Sequence, residues 1–188
     1  MSQTQQPQLD GATVGVFIAP EGTEEVEFVE PKETVSEAGA TVDVLGSETG
    51  EAQAVENDLE AAGTYEVETT FDDVSADDYD ALVVPGGTVG ADKLRVEEAA
   101  VDLIESHVAD EKPIGVICHG PWTLVEADVV EGRTLTSYPS LQTDVRNAGG
   151  EWVDEEVVTD GGLITSRKPD DLDAFCETLV EEIAAISS

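Results

Sequence analysis

Positively charged residues are scarce in this sequence. Eight Lys and Arg residues stand against 43 Asp and Glu residues, which gives a formal net charge of −35 at pH 7. The acidic residues are spread along the chain, a pattern that indicates a solvated acidic surface and not an interaction tail. Such a field repels nucleic acids and anionic membranes, so both are poor candidates as partners.

Few lysines and many carboxylates are also typical of a cytosolic protein from a halophile. Repulsion between these charges is screened within about 3 Å at about 1 M salt. We therefore expect a salt requirement for folding or assembly. An ordinary acidic mesophilic protein is the open alternative.

Cysteine, histidine and long apolar runs are also rare. The two cysteines lie far apart and form no disulfide framework, and with the two histidines they show no metal-ligand spacing, so neither a metal nor a cofactor is expected. No window approaches the ~18 apolar residues of a membrane helix. The start, "MSQTQQPQLDGA", lacks a signal-peptide pattern. We expect a cytoplasmic protein with a disordered polar tail over residues 1–12 and one domain over residues 13–188.

Short β-branched runs alternate with helical segments along that domain. Strands are predicted in "TVGVFIA" (13–19), "ATVDVLG" (40–46), "DYDALVVPGG" (78–87) and "KPIGVI" (112–117). Helices are predicted over about 24–38, with Pro31 kinking or breaking the helix, over 96–109 and at the C-terminus. Residues 47–74 indicate a hairpin beside the main sheet. The alternation predicts a parallel sheet covered on both faces, with sites at the C-terminal ends of its strands.

Two of those strand ends carry residues suited to catalysis. Ile117 leads into Cys118-His119-Gly120, and Pro121 then suits the first position of a helix. A thiol on such a turn is presented at the sheet edge, and the following helix N-terminus favours the thiolate. The Gly86-Gly87 pair ends a neighbouring strand. We expect its backbone N–H, together with that of His119, to form an oxyanion hole.

Other interpretations stay open at this point. A free cysteine is often a small buried hydrophobe, which is the interpretation we give Cys176 in the C-terminal helix. His107 is predicted to lie at the surface of an acidic helix. The end of the first strand, "APEGTEEVEF", offers several carboxylates near Cys118, and their spacing does not choose among them: Glu21, Glu24, Glu25 and Glu27.

Three segments together resemble the PfpI family of intracellular cysteine hydrolases. They are "YDALVVPGG", "KPIGVICHGPWTLVEADVVEGRTLTSYPSL" and "DVRNAGGEWVDEEVV…SRKPDDL". The likeness runs from about Thr13 to the end of the chain. That family, within the class I glutamine-amidotransferase-like superfamily, includes peptidases, protein deglycases and glyoxalases. The resemblance implies a flavodoxin-like, three-layer α/β sandwich with a mainly parallel central sheet.

The resemblance also implies roles for individual residues. "TEEVEF" is similar to the family's "FEDVEL", which assigns the carboxylate that partners the catalytic Cys118 to Glu24. His119 resembles the family's adjacent histidine, oriented by an acid from a neighbouring subunit, here Asp92, so a homo-oligomer (dimer or higher) is expected. The substrate pocket is predicted to include Gly86, Trp122 and Tyr138, with Gly87 and His119 supplying the oxyanion hole. Residues 47–70 are longer than in compact members, which leaves their role open.

These features predict a cysteine-dependent hydrolase or lyase that acts on methylglyoxal-type carbonyls or glycated proteins. An intracellular cysteine peptidase uses the same residues and is the alternative. From another class, an oxidative-stress sensor or chaperone would need only an oxidisable cysteine. A glutaminase is disfavoured because no histidine follows His119, and a serine hydrolase because no G-x-S-x-G is present.

Overall fold

The computed structural model describes residues 8–186. The strands are β1 (Thr13–Phe17), β2 (Glu21–Glu24), β3 (Thr41–Gly46), β4 (Gly50–Glu56), β5 (Glu60–Val67), β6 (Thr69–Thr70), β7 (Ala81–Val84), β8 (Ile114–Ile117), β9 (Thr134–Leu135), β10 (Glu151–Trp152), β11 (Val158–Asp160) and β12 (Leu163–Ser166). The helices are α1 (Glu25–Glu37), α2 (Thr88–Arg95), α3 (Glu98–Ala109), α4 (Pro121–Glu126), α5 (Gln142–Asn147) and α6 (Leu172–Ile186). No helix in these residues is long and apolar enough to cross a membrane.

Seven strands form the central sheet, in the order β11-β12-β8-β7-β1-β3-β6. All neighbours pair in parallel except β11, which runs antiparallel to β12 at one edge. Strands β7, β8 and β12 are buried along their whole length. This burial explains their continuous apolar sequences, because a parallel sheet is covered on both faces. The predicted mainly parallel central sheet is confirmed.

Helices cover the two faces and complete three layers. On one face α1 packs against α6 and buries Phe28, Phe175 and Leu179. On the other face α2, α3 and α4 bury a second apolar cluster that includes Leu94 and Leu124. The two clusters meet the sheet from opposite sides, so the strand ends between them are fixed from both layers.

A smaller three-stranded sheet lies beside the main one. Strand β4 pairs in parallel with β2 and antiparallel with β5, so residues 50–67 form the predicted hairpin. Its turn holds Asn57 and Asp58 at φ values of 51° and 65°. Asn and Asp tolerate this left-handed conformation better than other non-glycine residues. The hairpin therefore places a defined turn beside the end of β2 and the start of α2.

Three sequence expectations differ from the structure. The packed domain begins before residue 13: Leu9 is fully buried and its N–H donates to the Ala38 carbonyl, because this apolar side chain fills the end of the core. Residues 1–7 of the predicted tail lie outside the described residues. Helix α1 runs without a break through Pro31, whose side chain packs inward with its neighbours. The helix expected over 96–109 starts at Glu98, after a separate α2.

Candidate active site

Cys118 occupies the turn between β8 and α4. Its φ is 62°, a left-handed conformation that a side chain other than glycine rarely adopts. The surrounding backbone holds it there: the Cys118 N–H donates to the Ser166 carbonyl at 3.0 Å, and its own carbonyl accepts from the Tyr138 N–H at 2.8 Å. Such backbone strain is concentrated at functional turns that present a nucleophile. The structure thus places the thiol where the sequence predicted, at the C-terminal end of a central strand.

The carboxyl beside this thiol belongs to Glu27 and not to Glu24. Glu27 is fully buried, its Oε1 accepts the Gly86 N–H at 2.9 Å, and the carboxyl lies against Cys118. Burial raises the pKa of Glu27 to about 8, and the negative charge of Glu24 adds to the effect. Glu27 is therefore largely protonated near neutral pH. A protonated carboxyl next to sulfur acts as a hydrogen-bond donor to the thiolate.

Glu24 contacts the hairpin turn instead, so the assignment of this residue as the partner of Cys118 is wrong. Its two oxygens accept the backbone N–H groups of Asn57 at 2.8 Å and Asp58 at 3.0 Å. The physical reason is the position of each residue around the axis of α1. Glu24 precedes the first helical turn, whereas Glu27 shares the inward face with Pro31. Of the four carboxylates that the spacing left open, Glu27 is the one on that face.

His119 lies between the thiol and a polar chain from α2. Its Nδ1 is 3.3 Å from the Cys118 Sγ, and its Nε2 is 3.3 Å from the Thr88 Oγ1. The Thr88 hydroxyl in turn donates to the Asp58 Oδ2 at 3.1 Å. Burial lowers the pKa of His119, while the charge of Asp58 acts in the opposite direction. The imidazole is thus neutral at rest and suited to accept a proton.

The thiol itself is protonated in the resting site. Burial raises the pKa of Cys118, and an ionised Glu27 raises it further, whereas the His119 backbone N–H favours the thiolate. The Glu27 charge disappears when that carboxyl takes up a proton. Deprotonation of Cys118 is then favoured by three donors or acceptors around it: His119 Nδ1, the His119 N–H and the Glu27 carboxyl.

The remaining predicted residues lie at different distances from this centre. Gly86 abuts the turn, and a Cβ on it would collide with Cys118 and with the His119 nitrogen, whereas Gly87 lies against the backbone of residues 22–24. Tyr138 stacks on the His119 ring with centroids 4.6 Å apart, and Trp122 meets that ring edge-on at 5.3 Å.

Asp92 is exposed on α2, and its role across a subunit contact stays a prediction. Cys176 is buried in the core around α6, as predicted.

Sequence reasoning missed two residues of the site, Thr88 and Asp58. It also assigned to Glu24 the position beside the thiol that Glu27 occupies. Thr88 directly follows Gly87, but a threonine after a glycine pair is too common to indicate a role. Asp58 is 60 positions from Cys118 in sequence, and only the folding of the hairpin brings it near. For Glu27 a usable pattern existed, because residues 27, 31 and 35 are spaced to share one helix face.

A mainly parallel α/β sandwich with a strained cysteine at a strand-to-helix turn, flanked by a buried glutamate and a histidine, defines a class of α/β proteins. Within that class the chain belongs to the DJ-1/PfpI family, which it matches over residues 12–182.

Relatives and solved structures agree with that assignment. The chain is 37% identical over 166 residues to a protein named Deglycase PfpI from Pyrococcus furiosus, which covers 88% of this chain and 96% of the relative. It is 35% identical over 156 residues to a Bacillus subtilis protein named Putative cysteine protease YraA, covering 81% and 87%. The crystal structure of Drosophila melanogaster DJ-1beta superposes with a TM-score of 0.82 at 32% identity, covering 92% and 90% of the two chains.

Proposed function

We propose that this protein is a cysteine-dependent enzyme for reactive carbonyls, of the deglycase or glyoxalase type, with methylglyoxal and its protein adducts as substrates. One observation carries the proposal: Cys118 sits on a strained turn in contact with both a histidine base and a buried carboxyl of raised pKa. The similarity to the Pyrococcus relative named a deglycase supports it.

The first step is addition of sulfur to the aldehyde carbon of methylglyoxal. The Cys118 Sγ forms the new C–S bond, and its proton passes to the His119 Nδ1 at 3.3 Å. The aldehyde oxygen takes up negative charge, for which the backbone N–H groups of Gly87 and His119 are the proposed donors. The Gly86 N–H is unsuitable because it already donates to Glu27. The His119 imidazolium then returns its proton to the aldehyde oxygen, and the product is a hemithioacetal on Cys118.

The second stage converts this adduct into lactate. Glu27 in its carboxylate form removes the hydrogen from the former aldehyde carbon and returns a proton to the adjacent carbonyl carbon, while the hydroxyl proton of the hemithioacetal moves to the oxygen of that adjacent carbon. This transfer yields a lactoyl thioester on Cys118. Water then cleaves the C–S bond, which releases lactate and restores the thiol proton. A pKa of about 8 suits a group that must both accept and donate a proton near neutral pH.

A peptidase is the second candidate, favoured by the Bacillus relative named a putative cysteine protease. The accessibility of the site favours a small substrate. Only 6% of Cys118 and 6% of His119 is exposed, so an extended peptide has little room beside the sulfur. A protonated resting thiol argues against an oxidation sensor, because peroxide reacts with the thiolate and the pKa of Cys118 is raised by burial.

The test is a product assay in concentrated potassium chloride with methylglyoxal, a glycated peptide and an unmodified protein as separate substrates. We expect lactate from methylglyoxal or from the glycated peptide, none with Cys118→Ala, and a strong loss with Glu27→Gln. Cleavage of the unmodified protein without lactate would favour the peptidase. Oxidation of Cys118 without turnover of any substrate would favour the sensor.

A further inference from the structure

The hairpin of residues 50–67 supplies a carboxylate to the active site from within the same chain. Asp58, at the hairpin turn, binds Thr88 twice: Oδ1 accepts the Thr88 N–H at 2.8 Å, and Oδ2 accepts the Thr88 hydroxyl at 3.1 Å. Thr88 then reaches the His119 Nε2, and the His119 Nδ1 reaches the Cys118 Sγ, both at 3.3 Å. A continuous hydrogen-bonded chain therefore runs from the hairpin to the thiol.

The direction of each hydrogen bond follows from the number of hydrogens available. The Thr88 hydroxyl has one hydrogen, and it is directed to the Asp58 carboxylate, which can only accept. The Thr88 oxygen must then accept from His119, so the imidazole hydrogen is on Nε2. Its Nδ1 consequently presents a lone pair to the Cys118 sulfur. Only this tautomer can take the thiol proton.

We propose that Asp58 is a positioning residue that fixes the tautomer and orientation of His119 through Thr88, so that the cysteine–histidine pair is complete within one chain. This places within the chain the orienting role that the resemblance assigned to Asp92 of a neighbouring subunit. Use of His119 as the base for Cys118 rests on the proposed function. The tautomer itself does not.

The surroundings of Asp58 support a fixed position for its carboxylate. Both backbone N–H groups of the turn are held by the Glu24 carboxylate, at 2.8 and 3.0 Å. Among the ionisable groups around His119, Glu27 faces it from α1 across the thiol, and Tyr138 stacks on its ring. Neither contacts Nε2, so Thr88 and Asp58 determine which nitrogen carries the hydrogen.

Nitrogen-15 NMR of histidine-labelled protein tests the tautomer directly. The chain has two histidines, so a His107→Gln variant assigns both spectra. We expect hydrogen on Nε2 of His119 in the wild type. In Asp58→Asn the new amide donates to the Thr88 oxygen, the hydroxyl turns to the His119 Nε2, and the hydrogen moves to Nδ1. Thr88→Val should leave a mixture, Thr88→Ser should restore the wild-type pattern, and Glu60→Gln, an exposed acid of the same hairpin, should change nothing.

The pH profile of Cys118 alkylation by iodoacetamide gives a second readout that does not need a substrate. Loss of the Nε2–H tautomer in Asp58→Asn should slow alkylation near neutral pH by roughly 100-fold, the lower end of the range for general-base effects. The mixture of tautomers in Thr88→Val should slow it by a smaller factor. If Asp58 acted only as a nearby charge, Asp58→Asn would speed alkylation of Cys118 instead of slowing it, because the Asp58 charge disfavours the thiolate. This alternative also predicts no effect for Thr88→Val, which removes no charge.

These results separate the positioning role from the proposed reaction. An Nδ1–H tautomer in the wild type, unchanged spectra in Asp58→Asn, or a tautomer change in Asp92→Asn alone would overturn the role of Asp58. Failure to convert methylglyoxal with the expected tautomer shifts present would overturn the proposed function and leave the Asp58 proposal supported.

Discussion

Replacing Glu27 by Gln is predicted to stabilise the fold while it removes activity. Burial raises the pKa of this carboxyl from 4.5 to about 8. Between these pH values the folded protein keeps a proton that the unfolded chain releases, so the free energy of unfolding falls as pH rises. At about 1.4 kcal/mol per pH unit, the loss reaches roughly 3 kcal/mol near pH 7 and roughly 5 kcal/mol above pH 8. Gln has the shape of the protonated carboxyl and does not ionise.

Urea unfolding at about pH 5 and about pH 8, in molar potassium chloride, measures this difference. We expect similar stability for the two proteins near pH 5 and a more stable Glu27→Gln variant at pH 8. Glu24→Gln gives the contrasting result: it weakens two hydrogen bonds from backbone N–H groups and should destabilise by about 1–3 kcal/mol. A stability difference between wild type and Glu27→Gln that does not widen with pH would refute the reasoning.

Three further predictions concern other parts of the molecule. In urea unfolding, Gly87→Ala should lower the free energy of unfolding by about 1–3 kcal/mol more than Gly132→Ala does. Both positions have positive φ, but of the two only Gly87 has backbone atoms where a Cβ would lie. Equal losses in the two variants would contradict this. His107 is buried and its pKa is lowered to about 4, mainly by burial, so the unfolded chain binds the proton first and stability should fall as pH drops from 6.5 toward 4. That part of the pH dependence should be absent in His107→Gln, and its persistence would contradict the assignment. Finally, with a net charge of −35, the thermal midpoint should rise as potassium chloride increases from about 0.1 M to the molar range; full stability in dilute buffer would refute the salt requirement.

The strand-to-helix turn at Cys118 could be predicted because the residues that form it are neighbours in sequence. An apolar β-branched run ends at the cysteine, and Gly120 and Pro121 follow within three positions. Burial on both faces of a parallel sheet gives such strands a pattern that is visible without the structure. The same reasoning located Gly86 and Gly87 at the neighbouring strand end, and Gly86 lies against the turn.

The burial of His107 was missed although the sequence contained a usable pattern. Residues 100, 103, 104, 107 and 108 are spaced for one inward face of α3, and all five are buried. The acidic composition of the segment favours a surface position, but the spacing of its buried residues places His107 inside, and the prediction of a surface histidine is wrong. His107 instead bonds the Ala76 carbonyl through Nε2 at 3.1 Å.

The Glu27 and Asp58 placements depend on three-dimensional contacts that a local pattern does not determine. Glu24 and Glu27 are only three residues apart at the start of α1, yet Glu24 contacts the hairpin turn and Glu27 contacts the thiol. Asp58 reaches Thr88 only because β4 pairs with β2, which fixes the turn against α2. Long-range pairing of this kind is set by the whole core, so the sequence predicted the hairpin but not its role.

Lactate formation from methylglyoxal by wild type and Cys118→Ala, measured in concentrated potassium chloride, tests the central claim most directly. The account predicts steady lactate production by the wild type and only the uncatalysed background with Cys118→Ala, at unchanged folded secondary structure. Lactate production by Cys118→Ala at the wild-type rate would contradict it.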